Sequence, residues 1–216
     1  MIDIVREIEA VKREVGEGTV PAGVGRSVTL EREYPAPIDD VWDALTNPER
    51  IGRWFLPISG DYRLGGRYQF EGNAGGRIVE CDQPRRLKVT WEYGPATDVD
   101  ASIVEVRLSP VGDGMTRFVL EHIAVVPDEM WAEYGPGAVG VGWEGGLLGL
   151  SLHLQGAPRP DDPVAWQLSP DGRDFSRRSS EAWGDANRAA GADPEAAARA
   201  VANTTTFYAP EPEAGS

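Results

Sequence analysis

Three stretches of the chain alternate apolar and polar residues with a period of two, and no other feature constrains the fold as strongly. Leu87, Val89, Trp91 and Tyr93 form one row, Val104, Val106 and Leu108 a second, and Phe118, Leu120 and His122 a third. Successive side chains of a strand point to opposite faces, so each row predicts a strand with one buried face. Strands of this kind make an antiparallel sheet covered on one side. Turn signals at Leu64-Gly65-Gly66-Arg67 and Asn73-Ala74-Gly75-Gly76 add hairpins upstream. The cover is predicted over 138–154, where Trp143, Leu147, Leu150 and Leu154 repeat at i, i+4, i+7 and i+11. The glycines at 140, 142, 145, 146 and 149 weaken that helix by roughly 1 kcal/mol each relative to alanine. They are tolerable if the helix lies close to the sheet or leaves space beside it.

The rest of the chain supplies flanking elements. Ile4, Ile8, Val11 and Val15 fall on one face of an amphipathic helix predicted over 2–15, which Gly16, Gly18 and Pro21 would end. Residues 1–23 thus read as a helix and a linker. A strand follows over 24–34, where Val28 and Leu30 alternate with Thr29 and Glu31. Asp39 and Asp40 open one short helix, and Asn47 caps another with Pro48 at its first position. Residues 24–156 read as a single α+β domain. Residues 156–173, rich in Pro, Asp and Gly, read as a linker to a C-terminal helix pair. The first helix carries Phe175, Ala182, Trp183 and Ala186; the second starts at Asp193-Pro194-Glu195 and ends with Phe207-Tyr208. The tail beyond Pro210 is expected to be disordered.

Composition excludes several roles. The 216 residues carry a formal net charge of −14 and no basic stripe. Such a chain is repelled by nucleic-acid phosphates and by anionic membrane surfaces, so neither is an expected partner. No stretch approaches the roughly 20 apolar residues of a membrane span. The charged, amphipathic start lacks the apolar run of a secretory signal, and the single Cys81 has no partner for an internal disulfide. The expected location is the cytoplasm, where the sequon Asn203-Thr204-Thr205 has no meaning.

The order of elements is similar to the START/Bet v 1-like helix-grip fold: a strand, two short helices, a run of antiparallel strands, then a long helix across the sheet. Local motifs narrow the resemblance. The string from Val41 to Glu49 (VWDALTNPE), then Arg53-Trp54-Phe55-Leu56-Pro57, then Gly60-Asp61-Tyr62-Arg63-Leu64-Gly65-Gly66, and finally Gly142-Trp143 resemble one branch of the SRPBCC superfamily. That branch is named after the C-terminal domain of the activator of Hsp90 ATPase. The resemblance covers about residues 26–156. The N-terminal helix and residues 157–208 lie outside it and look like an extension of actinobacterial-type members. The resemblance implies a helix-grip fold with a cavity between long helix and sheet, and implies no particular reaction.

Literal motif matches carry little chemistry. Gly140-Val141-Gly142-Trp143-Glu144-Gly145 fits G-x-G-x-x-G but follows Pro136-Gly137 rather than a buried strand. Gly149-Leu150-Ser151-Leu152-His153 lacks the last glycine of a nucleophile elbow, and Ser151 belongs inside a helix. His122, His153 and Cys81 match no zinc spacing, so no metal or other cofactor is expected. His122 continues an inward row, where a neutral imidazole either serves a ligand or is satisfied within the core. Glu92 is expected to point away from the Trp91 row, and the facing of Glu144 is left open.

The aromatic residues point to binding. Trp42, Trp54, Phe55, Trp91, Tyr93, Phe118, Leu120, His122, Trp143, Leu147 and Leu150 are the candidate cavity residues. No catalytic set accompanies them, so the leading expectation is a non-catalytic binder of a small apolar or amphipathic ligand. Two alternatives stand beside it. One is a protein-interaction or chaperone-associated module, with an Hsp90-type chaperone or a second copy of the chain as partner through the C-terminal helices. The other is a cyclase- or hydrolase-like enzyme using the same cavity, with His122 as its first acid–base candidate.

Overall fold

The computed structural model of the chain describes residues 2–94, 100–158, 160 and 162–210. In chain order these contain α1 (Ile4–Glu9), β1 (Lys12–Val20), β2 (Gly23–Tyr34), α2 (Ile38–Thr46), α3 (Pro48–Trp54), β3 (Ile58–Gly60), β4 (Arg67–Phe70), β5 (Gly75–Asp82), β6 (Arg86–Thr90), β7 (Ser102–Pro110), β8 (Thr116–Ala124), α4 (Asp128–Tyr134), α5 (Gly137–Leu154), α6 (Pro163–Leu168), α7 (Pro170–Ala189) and α8 (Pro194–Tyr208). The strands pair antiparallel in the order β1-β2-β8-β7-β6-β5-β4-β3. Among the described residues no helix is long and apolar enough to cross a membrane.

The pairing register turns the sequence rows into one apolar surface. Leu30, Leu120, Val106 and Leu87 line up across four strands, and Val28, His122, Val104 and Val89 form the next line. Lys88, Glu105 and Glu121 line up on the opposite face, where Arg86, Lys88 and Arg107 all pair with Glu105. One face is therefore covered and the other solvated, as the alternation predicts. Each fully buried Leu, Val or Phe contributes about 1.5–3 kcal/mol relative to leaving it in water.

α5 lies over the apolar face, and the Tyr34 hydroxyl donates to the Leu147 carbonyl at 3.2 Å. α5 carries apolar residues on two opposite faces that pack against the protein, while Gly142 and Gly145 remain exposed. Leu147 and Leu150 belong to the sheet-side core, whereas Leu148 packs in a second cluster with Phe175, Ile4 and Ile8. The fully buried Trp183 of α7 lies where a Cβ on Gly140 would sit. The C-terminal helix pair thus packs on its own chain, with α7 against α5, β1 and α1.

Three local expectations are corrected. The amphipathic helix expected over 2–15 is only the six residues of α1, followed by β1, so the expected linker is an edge strand. Gly16 and Gly18 lie within this strand rather than ending a helix; a Cβ on Gly18 would come within 2.6 Å of the Ile123 side chain. The linker expected over 156–173 contains α6 and the start of α7. Asp162 caps Val164 and Ala165, and Ser169 caps Gly172, each followed by Pro at the first helical position. The prolines and polar residues of this stretch are helix-start signals. The expected disordered tail, 211–216, lies outside the described residues.

Candidate ligand-binding site

A cavity of about 360 Å³ opens between α5, the two short helices and the sheet. Trp42 comes from α2, Trp54 from α3 and Phe55 from its C-cap. Tyr68 and Phe70 come from β4, Trp91 follows β6, Phe118 and Leu120 come from β8, and Trp143 and Leu147 from α5. Three polar tips of this aromatic wall are bound within the protein. Trp54 Nε1 donates to the Ala44 carbonyl at 2.9 Å, the Tyr68 hydroxyl to the Thr90 carbonyl at 2.6 Å, and Trp143 Nε1 to His122 Nδ1 at 3.0 Å. Those rings therefore present carbon faces to the cavity. Phe55 meets Phe70 edge-on at 5.0 Å, and Trp91 meets Trp143 at 4.8 Å between ring centroids.

The glycines of α5 shape this space. A Cβ on Gly149 would lie 2.5 Å from the Trp54 carbonyl oxygen, so this position lets α3 approach the helix. At Gly146 the missing side chain leaves room beside Phe55. The rim holds the exposed Tyr62, Arg63 and Leu64 on one side and Cys81 and Gln83 on the other. Arg63, tied to Asp61 at 2.6 Å, is the lone Asp, Glu, Lys or Arg among the residues lining the cavity.

Eight of the eleven candidate residues line this cavity: Trp42, Trp54, Phe55, Trp91, Phe118, Leu120, Trp143 and Leu147. Leu150 is fully buried core. Tyr93 is 72% exposed, because regular pairing of β6 with β7 ends at Thr90–Ile103 and the chain turns away at Gly94. Tyr68 and Phe70, which sequence reasoning missed, alternate along a four-residue strand between glycine turns. That short period-two signal was present.

His122 is buried, and its tautomer follows from its partners. An indole N–H can only donate, so Nδ1 accepts from Trp143 and the imidazole proton sits on Nε2, 2.8 Å from Ser102 Oγ. Burial pushes its pKa down to about 4. The ring faces a second cavity of about 640 Å³, which shares Phe55, Trp91 and Trp143 with the first.

The remaining polar candidates have structural partners. Glu144 is buried and takes a bidentate contact from Arg13, Nε–Oε1 2.6 Å and Nη2–Oε2 2.7 Å. Burial pushes its carboxyl up, and the guanidinium opposes that. Glu92 pairs with Arg67 at 3.2 Å, and Ser151, inside α5, accepts from Arg32 at 2.9 Å. The glycines at 140 and 142 of the G-x-G-x-x-G string sit within α5 beside Trp183 and Tyr208. His153 accepts from Arg50 at 3.3 Å; burial and the nearby Arg50 and Arg53 hold its pKa down. Among the described residues no three His, Cys, Asp or Glu side chains gather as a metal site.

The family model described as "Activator of Hsp90 ATPase homolog 1-like protein" matches residues 35–154. The chain belongs to this family. Every residue of the 360 Å³ cavity falls inside the matched stretch, so the activator-of-Hsp90-ATPase-like domain holds the cavity whole. The chain is similar to CalU16 from Micromonospora echinospora at 38% identity. The match covers 83% of this chain and 99% of that one, with a TM-score of 0.66 to its crystal structure. That coverage exceeds what residues 35–154 supply, so the likeness continues into the flanking segments. Protein MLL2253 from Mesorhizobium loti shares the fold at 24% identity and a TM-score of 0.52, over 62% of this chain and 100% of that one. EF2215 from Enterococcus faecalis, described as a conserved protein of unknown function, shares it at 17% identity and 0.54, over 81% and 91%. No curated protein matches the chain. The α+β helix-grip architecture of the SRPBCC superfamily is thus shared across the family domain.

Proposed function

We propose that the chain binds a small apolar or amphipathic ligand, without transforming it, in the cavity between α5 and the sheet. The observation that carries this reading is an aromatic-walled space of about 360 Å³ in which Trp54, Tyr68 and Trp143 have their polar tips tied into the protein. Ligand cavities of roughly 300–1,000 Å³ are mostly apolar with few polar groups, and this one fits that description. Family membership supports a binding module in general, for a ligand or in association with Hsp90; the cavity favours the ligand. The C-terminal helices support it in part: Phe175 and Trp183 are buried against their own chain, whereas Phe207 is 64% exposed. As for catalysis, His122, the first acid–base candidate, already spends both ring nitrogens on Trp143 and Ser102.

Dodecanol, dodecanoate and cyclohexanol are suitable saturated probes, read by thermal shift and tryptophan fluorescence. A probe at about a hundred times its Kd stabilises by about 2.7 kcal/mol, roughly 5–10 °C for a chain of this size. Val106→Trp fills the space and is expected to abolish the shift while circular dichroism stays unchanged. The reading fails if no probe shifts the melt, or if the folded Val106→Trp protein responds as the natural chain does.

A further inference from the structure

A third cavity, about 260 Å³, lies on the side of α5 that carries Leu148 and Leu152, away from the sheet-side core of Leu147 and Leu150. One wall, from Trp54 to Leu152, belongs to the family stretch; the other, with Trp166, Phe175, Ser176 and Tyr208, lies outside it. We propose that this cavity binds a small uncharged alkyl chain ending in a hydroxyl group. This does not rest on the reading of the inner cavity.

The shape favours a slender occupant. Gly142, Gly145 and Gly149 stand at i, i+3 and i+7 on one face of α5 and leave its backbone bare over about 10 Å, at 1.5 Å per residue. The groove is closed at both ends. A Cβ on Gly142 would lie 3.1 Å from the Tyr208 hydroxyl, and one on Gly149 2.5 Å from the Trp54 carbonyl oxygen, whereas the space at Gly145 is open. Trp166 and Phe175, with ring centroids 5.9 Å apart, line the far side. The volume is below the roughly 300–1,000 Å³ of sites for drug-sized ligands, so the occupant is small.

The polar groups set the head of that occupant. Ser176 is 3% exposed and lines the cavity. Ser180, one turn on, returns its hydroxyl to the Ser176 carbonyl at 2.7 Å; among the described residues the Ser176 hydroxyl itself has no hydrogen-bond partner. A buried hydroxyl left without a partner costs free energy, which a ligand atom within reach recovers. Gln167, held by the bond from its Nε2 to the Tyr208 carbonyl at 3.0 Å, also lines the cavity and offers its amide oxygen as an acceptor. A donor and an acceptor together match an alcohol, which accepts and donates through one oxygen. Among the described residues lining the cavity there is no Asp, Glu, Lys, Arg or His. An ionised head group would be buried unpaired there, at high cost.

The test uses the full chain with Val106→Trp filling the inner cavity throughout, and circular dichroism to verify each fold. 1-Hexanol, with 1-chlorohexane as the comparator without a hydroxyl, is titrated by calorimetry. Gly145 and Ser176 line this cavity and neither of the other two. Gly145→Leu improves helix propensity and puts a side chain into the groove, so 1-hexanol is expected to weaken at least tenfold. Ser176→Ala removes a hydroxyl that has no partner, so the fold is expected to stand. It should weaken 1-hexanol about tenfold, the worth of one hydrogen bond, and leave 1-chlorohexane unchanged. The proposal is overturned if 1-hexanol does not bind the Val106→Trp protein. It is overturned equally if the folded Gly145→Leu form binds 1-hexanol as before, or if Ser176→Ala affects both compounds alike. Because the inner cavity is filled in every arm, failure here is distinguishable from failure of the inner-cavity reading.

Discussion

Trp143 Nε1 donates to His122 Nδ1 across 3.0 Å, joining the covering helix to the centre of the sheet. The bond requires a neutral imidazole, because the imidazolium has no lone pair to accept with.

This makes stability depend on pH with a definite sign. Burial lowers the folded pKa of His122 from 6.5 to about 4, so on acidification the unfolded chain takes up the proton first. The contribution is complete above pH 6.5 and is lost as pH falls from there towards about 4. The loss approaches about 3 kcal/mol, at about 1.4 kcal/mol per pH unit. Urea melts between pH 7.5 and 4.5 should show His122→Gln with a slope shallower by up to that amount. Parallel slopes for the two proteins would exclude His122 as the source.

The Arg13–Glu144 pair bridges β1 and α5, with side chains 9% and 1% exposed. Removing one partner strands a buried charge or donor, at a cost of about 3–5 kcal/mol. Arg13→Met and Glu144→Gln are each expected to lose that much in urea unfolding, while Arg13→Met combined with Glu144→Leu recovers most of it. A double variant as unstable as the sum of the singles would show that the two residues do not act as a pair.

Two glycines of α5 should respond oppositely to the same change. Gly140→Ala gains up to about 1 kcal/mol of helix propensity, yet its methyl would occupy the place of the Trp183 ring, so a net fall in Tm is expected. Gly145 has no atom within 4 Å of a built Cβ, and Gly145→Ala should raise Tm. Calorimetry of both decides the matter; a stabilised Gly140→Ala protein would mean that Trp183 can move aside.

Much of the fold is legible because the signals are local. The rows at Leu87–Val89, Val104–Leu108 and Phe118–His122 fix which face of each strand is buried, and Asn47-Pro48 and Asp193-Pro194 start helices by capping alone. Tyr93 lines the second cavity rather than the inner one, because alternation does not say where a strand stops; loss of pairing after Thr90 does.

The sheet faces, the covering helix and the aromatic composition of the wall can be read from the chain alone, since periodicity and capping act over a few residues. Contacts distant in the chain make residues 12–20 a strand, bring Glu144 to a partner 131 residues away, and cover α5 on both sides. The room that remains between helix and sheet is of the same kind, because empty volume depends on how closely whole elements approach. At α5 that approach is set by where side chains are missing, at Gly140 against Trp183 and at Gly149 against Trp54, and no local pattern records what stands opposite a missing side chain.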